Sequence, residues 1–191
     1  AAVGAAGTGG LAFASNGFGR SKLWEVIEDT AVTTSMIFLI LLGAEFFNSF
    51  IALTQMTNNL ASWVQSNNYS AYTVLFIILM LYLFMGCLMD SLAMILLTIP
   101  VFFPILMNLD FGMNSEDTAI WFGILTLIVV EVGLITPPVG LNVFVINKLA
   151  KDIPIIETFK GVLPFVISDL LRIALLFCFP SIVLGFVHFL Y

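Results

Sequence analysis

Long apolar runs separated by short polar segments dominate this sequence. Residues 31–53 are apolar except at Glu45 and Asn48, and residues 161–191 form a comparable run at the C-terminal end. Because a helix rises about 1.5 Å per residue, about 20 apolar residues are enough to cross a hydrocarbon core of ~30 Å. The pattern therefore predicts an all-α integral membrane protein in which 31–53 and 161–191 are spanning helices.

The first thirty residues have a different character. Residues 1–14 are rich in glycine and alanine, which let membrane helices pack closely, and we interpret them as the end of a helix that begins before this chain does. Within residues 15–30, Leu23, Trp24 and Ile27 can share one helical face. This pattern favours an amphipathic arm at the membrane surface, although a plain connecting loop explains the same residues equally well.

The positive charges indicate how the chain is oriented. Apart from Arg172, the basic residues fall within 15–30 and 148–160. Basic residues concentrate in cytoplasmic loops, so we expect both of these segments on the cytoplasmic side. The polar segments 54–70 and 108–118 are then expected on the outer side.

Residues 71–107 must consequently begin and end on the outer side. They are apolar apart from Asp90 and Ser91. Two complete spans joined by a cytoplasmic turn would meet this requirement, and so would a re-entrant helical hairpin whose tip stops inside the membrane. We favour the hairpin, because the turn offers no basic residue and no loop, and because irregular backbone inside the bilayer is tolerated only where it is buried or lines a cavity.

A second irregularity interrupts the apolar run at 119–147. The segment Gly133–Gly140 contains the pair Pro137–Pro138, which removes two backbone donors and disfavours helix at Thr136. An unwound helix leaves carbonyl groups free, and carbonyl and hydroxyl oxygens are suitable ligands for a hard cation such as Na⁺. A proline kink healed by neighbouring helices is the alternative, but broken helices that meet a hairpin tip are the recurring site of secondary transporters.

Composition supports a membrane protein and argues against other classes. Hydrophobic residues make up 61% of the 191 residues and charged residues only 9%, against about 25% charged residues in soluble domains. No basic cluster is present that could bind nucleic acid. Cys87 and Cys178 lie in apolar runs without metal-ligand spacing, and we interpret them as small core hydrophobes. Because nothing in the sequence builds a nucleophile–base pair, we do not expect an enzyme.

Charged side chains inside the apolar runs are candidate functional residues. An intramembrane carboxylate is costly, so we interpret Asp90 as functional in preference to a structural helix cap. Glu131, just before the break, could lie in a cavity, pair with a partner helix or couple to ions. For Glu45 we favour a packing or partner-pairing role. Asp169 and Arg172 are spaced i, i+3 and are expected to form an ion pair with each other.

The two irregular segments resemble those of one transporter family. Gly86–Ser91 (GCLMDS) followed by Glu131–Asn142 (EVGLITPPVGLN) is similar to the large membrane subunit of TRAP transporters, the tripartite ATP-independent periplasmic transporters. The likeness extends over essentially the whole chain. It implies that the chain is the C-terminal half of that subunit, the second inverted repeat of an elevator-type secondary transporter, with a re-entrant hairpin and a broken helix.

The resemblance also implies a function, an ion and partners. Such transporters use a Na⁺ gradient to take up a small carboxylate, of the sialic acid or C4-dicarboxylate type, across the bacterial inner membrane. They work with a small four-helix membrane subunit and a soluble periplasmic substrate-binding protein. Carried onto this sequence, the resemblance implies substrate ligands at Asp90, Ser91 and Asn142, and a Na⁺ site at Gly86, Asp90, Gly133, Thr136, Pro137 and Gly140.

The sequence thus predicts five parts in chain order: the end of a small-residue helix plus a surface amphipathic arm (1–30), a scaffold-type span and outer segment (31–70), a re-entrant hairpin (71–108), a broken helix (119–147) and a last span (161–191). An ion channel or pore is the alternative function, but two unlike irregular segments argue against a symmetric filter. A membrane enzyme that used Asp90 as an acid or base lacks a second catalytic group here.

Overall fold

Helices make up all the regular structure of the described residues, as the apolar pattern predicts. The computed structural model describes residues 2–14, 20–149 and 153–190 of the chain. The helices are α1 (Ala2–Ala14), α2 (Arg20–Leu53), α3 (Met56–Ser66), α4 (Ala71–Gly86), α5 (Ser91–Met107), α6 (Ser115–Gly133), α7 (Leu141–Leu149), α8 (Ile155–Cys178) and α9 (Pro180–Leu190).

Among the described helices, two are long and apolar enough to cross a membrane. They are Lys22–Leu53 within α2, with 32 residues, and Ile155–Cys178, with 24 residues. At about 1.5 Å per residue they are about 48 Å and 36 Å long, which exceeds the ~30 Å hydrocarbon core.

Two predicted boundaries differ from the helices that form. The amphipathic stretch of 15–30 was expected to be separate from the span, but α2 runs without interruption from Arg20 to Leu53. The single last span is interrupted instead at Phe179, whose backbone is not helical, and α9 restarts at Pro180. The physical reason for this second break is that proline disfavours helical backbone at the residue before it.

The chain divides into two units, residues 1–43 and 44–191. The first unit holds α1 and the first part of α2, and almost all its described side chains are exposed. The second unit contains the hydrophobic core, in which Tyr82, Met94 and Trp121 are completely buried. The short helix α3, inside the polar segment 54–70, packs against α5.

Aromatic rings gather where α4 and α6 begin. Tyr72 of α4 contacts the rings of Phe111, Trp121 and Phe177, with centroids 5.6, 6.1 and 5.8 Å away. Trp121 Nε1 also donates a hydrogen bond of 2.9 Å to the carbonyl of Leu176. Aromatic pairs of this kind contribute roughly 0.5–1.5 kcal/mol each beyond their buried area. The cluster therefore fixes the starts of α4 and α6 side by side, next to the end of α8.

The two arms of the hairpin are joined through a buried polar contact. The hydroxyl groups of Thr98 and Tyr82 are 2.8 Å apart, and the Thr98 hydroxyl lies 2.6 Å from the carbonyl oxygen of Met94. Buried hydroxyls need such partners, because an unsatisfied polar group costs about 1–3 kcal/mol. The contact holds α5 against α4 in the middle of the hairpin.

Candidate functional site

The hairpin reverses within four residues, 87–90. After α4 ends at Gly86, the N–H groups of Leu88 and Met89 both donate to the carbonyl of Met85. Asp90 then begins α5, because its Oδ2 accepts hydrogen bonds from the N–H groups of the next turn, at 3.1 and 3.2 Å. An acidic N-cap satisfies backbone donors that lack partners inside the helix.

The structure shows Asp90 in the helix-cap role that the sequence analysis had placed second to a functional one. Asp90 caps α5, and it does so through one carboxylate oxygen, Oδ2. Within the described part of the chain, its Oδ1 accepts no hydrogen bond, and the residue is exposed. The carboxylate therefore has a structural role and still has one oxygen available for a cation or a donor.

The apolar segment 119–147 is broken at the proline pair, as the sequence predicts. α6 ends at Gly133, α7 begins at Leu141, and the peptide bond between Pro137 and Pro138 is cis. The chain closes into a compact loop, because the N–H of Asn142 donates to the carbonyl of Leu134 at 3.1 Å.

Two residues adapt the chain to this loop. Gly140 has φ +57°, the left-handed region that favours glycine. A Cβ atom at this position would lie 3.1 Å from Cε1 of Phe159 in α8, so the residue is also confined by space. The Thr136 hydroxyl donates to the carbonyl of Val132 at 2.6 Å, which leaves lone pairs on its oxygen as acceptors.

The hairpin tip and the broken helix touch each other through main-chain atoms. A Cβ atom at Gly133 would lie 2.7 Å from Cα of Gly86, and one at Gly86 would lie 3.1 Å from Cα of Gly133. One residue further along, Cys87 Sγ lies 3.2 Å from the carbonyl oxygen of Leu83 and 3.7 Å from that of Pro137, so its single S–H proton is shared between two acceptors. The two segments that the sequence singled out therefore form one junction.

Several carbonyl oxygens near this junction are free. The carbonyls of Thr136, Pro138 and Val139 in the break accept no hydrogen bond from the described residues, and neither do those of Leu88 and Met89 at the tip. The described residues contain no cluster of three His, Cys, Asp or Glu side chains that could hold a metal. Backbone carbonyls, a hydroxyl and one carboxylate oxygen are donors typical of hard-cation sites.

The structure brings only some of the eight predicted site residues together. Gly86, Gly133 and Pro137 meet at the junction, where the glycines bring the backbones too close together to leave room for an ion between them. Ser91 begins α5 and is partly buried, while Asn142 lies exposed in the first turn of α7. In the described structure no hydrogen bond joins the Asn142 side chain to the hairpin tip.

Sequence reasoning missed the part that Cys87 plays. A lone cysteine in an apolar run was interpreted as a small core hydrophobe, and it is indeed almost fully buried. Its thiol nevertheless contacts the carbonyl oxygens of Leu83 and Pro137 and so connects the tip to the break. The sequence contains no signal for the contact with Pro137, because Cys87 and Pro137 lie fifty residues apart.

A helical hairpin held against a broken helix, in a chain of apolar helices, is an arrangement typical of membrane proteins of the secondary-transporter class. The family model described as "Tripartite ATP-independent periplasmic transporter, DctM component" matches residues 1–182. The chain belongs to this family, whose members are multi-pass membrane transporters and not enzymes.

Relatives from several bacteria are similar to this chain. The large permease protein SiaM of a sialic acid TRAP transporter from Vibrio cholerae is 28% identical over 84% of this chain and 36% of its own length. The C4-dicarboxylate large permease protein DctM from Pseudomonas aeruginosa is 31% identical over 89% of this chain and 38% of its own. The sialic acid permease protein SiaT from Haemophilus influenzae is 32% identical over 82% of this chain and 24% of its own. The chain thus spans less than half the length of these relatives.

Proposed function

We propose that this chain forms half of the transport core of a TRAP transporter large subunit, which takes up a small carboxylate delivered by a periplasmic binding protein. Relatives named for sialic acid and for C4-dicarboxylates support these two substrate types. The observation that carries the proposal is the contact between the hairpin tip and the broken helix at Gly86 and Gly133. Uptake is driven by a Na⁺ gradient across the bacterial inner membrane.

The hairpin enters the membrane and turns back inside it. Its arms have 16 and 17 residues, so at about 1.5 Å per residue they are about 24 and 26 Å long. Both are shorter than the ~30 Å hydrocarbon core. The tip carries no basic residue that would anchor it at the cytoplasmic surface. These features support a re-entrant hairpin and the second inverted repeat of an elevator-type transporter.

A Na⁺ ion binds beside the junction in this proposal, with oxygen ligands from the tip and the break. The free Oδ1 of Asp90, the Thr136 oxygen and the unpaired carbonyls of the break supply them. Gly86 and Gly133 contribute by letting the backbones approach, Gly140 by its left-handed turn and Pro137 by removing a donor. Their role is to position carbonyl oxygens, which is how a broken helix coordinates a cation.

The substrate carboxylate binds at the start of α5. Ser91 directly follows Asp90, which already accepts from the N–H groups of Leu92 and Ala93, so the donor for the substrate is the Ser91 hydroxyl, and the bound Na⁺ offsets the charge of Asp90. The exposed amide of Asn142 supplies a further donor from the other side of the break. The small four-helix membrane subunit and the binding protein complete the transporter.

Uptake into proteoliposomes tests the proposal. The liposomes contain the full-length large subunit and its small partner, and they receive radiolabelled sialic acid or C4-dicarboxylate. The binding protein is added or omitted, and an inward Na⁺ gradient is replaced by K⁺ in the matched control. We expect uptake only with both binding protein and Na⁺. Uptake that needs neither would contradict the proposal and favour a pore.

A further inference from the structure

The left-handed turn at Gly140 needs support from outside the residue itself. Glycine adopts its φ of +57° easily, but it also loses more conformational freedom than any other residue when its backbone is fixed. Within the loop, the N–H of Asn142 donates a hydrogen bond to the carbonyl of Leu134. The place where a side chain of residue 140 would lie is bordered by Phe159 of α8. A contact from a neighbouring helix therefore takes part in shaping the break.

The Phe159 ring lies beside a carbonyl that the proposed ion site uses. A Cβ atom at Gly140 would lie 3.1 Å from Cε1 of Phe159 and 3.3 Å from the carbonyl oxygen of Thr136. The ring and this oxygen therefore border the same small space at the turn. Phe159 is partly buried, and a smaller side chain in its place would give the turn room to shift. The position of the Thr136 oxygen thus depends on the ring.

A second contact between α7 and α8 keeps Phe159 in place. Asn147 Nδ2, near the end of α7, donates to the carbonyl of Ile153 at 2.8 Å and to the Thr158 hydroxyl at 3.0 Å. Thr158 directly precedes Phe159, so this contact fixes the end of α7 relative to the residue that supports its start. α7 has nine residues, and a helix this short is marginal without such packing.

We propose that Phe159 is a positioning residue for the cation site of the broken helix, and that the Asn147 contact holds it there. The inference rests on the proposed function, in which carbonyl oxygens of the break bind Na⁺. Phe159 acts through Gly140 and the Thr136 carbonyl and does not touch the ion. Without the ring, only a fraction of the molecules has the loop in the form that binds Na⁺. If that fraction is about one third, the apparent Kd for Na⁺ rises about threefold.

A role in packing alone leads to a different expectation. A phenylalanine that only fills space stabilises the fold whether or not Na⁺ is present, so its loss lowers Tm without changing the apparent Kd. Phe177 provides this comparison within the same helix. It is also partly buried, and its ring contacts those of Tyr72 and Trp121. At about 1.5 Å per residue it lies about 27 Å further along α8 than Phe159.

Stabilisation by Na⁺ of the purified full-length large subunit with its small partner tests the proposal. Tm is followed by far-UV circular dichroism while NaCl replaces KCl at constant ionic strength, and the rise in Tm gives the apparent Kd. We expect Phe159→Leu to raise that Kd at least about threefold, and Phe177→Leu to lower Tm in KCl without changing the Kd. An unchanged Kd in Phe159→Leu, beside normal stabilisation of the wild type, would overturn this inference alone. No stabilisation of the wild type by Na⁺ would overturn the proposed ion site as well.

Asn147→Ala tests the same idea without removing the ring. It deletes both amide hydrogen bonds to α8, so it should also raise the apparent Kd for Na⁺. Asn108→Ala is the matched control, because it deletes an amide hydrogen bond of 2.8 Å, to the carbonyl of Pro104 at the end of α5. That variant should keep the wild-type Kd. Equal Kd values in the two variants would overturn the role of Asn147 in holding Phe159.

Discussion

Substituting Gly133 by alanine probes the junction directly. The added Cβ atom would lie 2.7 and 2.9 Å from Cα and C of Gly86 and 3.0 Å from the carbonyl oxygen of Leu83. All three are main-chain atoms, so no side-chain rotation relieves the contact, and α4 must move away from α6. Overpacking of this kind costs about 1–3 kcal/mol. For a chain of this size we expect a Tm lower by about 2–4 °C per kcal/mol.

Thermal unfolding of the purified protein in detergent, followed by far-UV circular dichroism, measures this loss. Gly161→Ala is the matched control, because a Cβ atom at that position in α8 meets nothing within 4 Å. Alanine there should be neutral or stabilising by up to about 1 kcal/mol, since it is a better helix former than glycine. Equal melting temperatures for the two variants would refute the close contact between tip and break.

Three further predictions concern the same junction, each assayed by Na⁺-driven uptake into proteoliposomes. Asp90→Ala removes the cap of α5, so it should lower the free energy of unfolding by about 1 kcal/mol and also abolish uptake. Asp90→Asn keeps a capping oxygen, so stability should persist while uptake is lost; normal uptake at normal Na⁺ dependence would show that Asp90 acts only as a cap. The double change Pro137→Ala and Pro138→Ala restores two backbone donors and should raise the Na⁺ concentration for half-maximal uptake, and an unchanged value would mean that the break does not bind the ion. Cys87→Ala should raise that concentration while Cys87→Ser, which keeps a donor, should not; equal values for both variants would exclude a role for the thiol contact.

The sequence located the parts of this molecule that depend on local chemistry. The proline pair at 137–138 ends α6 because proline removes donors, and Asp90 ends the turn of the hairpin because a carboxylate caps a helix well. The apolar run up to Leu53 becomes one of the two long membrane-length helices. Each of these features is determined by residues within a few positions of each other.

Features that depend on packing were harder to predict. The helix α2 begins as early as Arg20, because none of the polar residues between Arg20 and the apolar span ends it. The restart at Pro180 has a local signal that was overlooked within an apolar run. The contacts of Gly86 with Gly133 and of Cys87 with Pro137 join residues about fifty positions apart. No spacing rule in a single sequence reveals such pairs.

The glycine contact between the hairpin and α6 also determines which changes at this junction alter the backbone and which do not. Where two backbones touch directly, no side chain can rotate to relieve the contact, so a Cβ atom at position 86 or 133 is accommodated only by movement of the backbone. The residues around it are free of that restriction. Side chains around the junction can therefore be exchanged while the main-chain contact that joins the two segments stays the same.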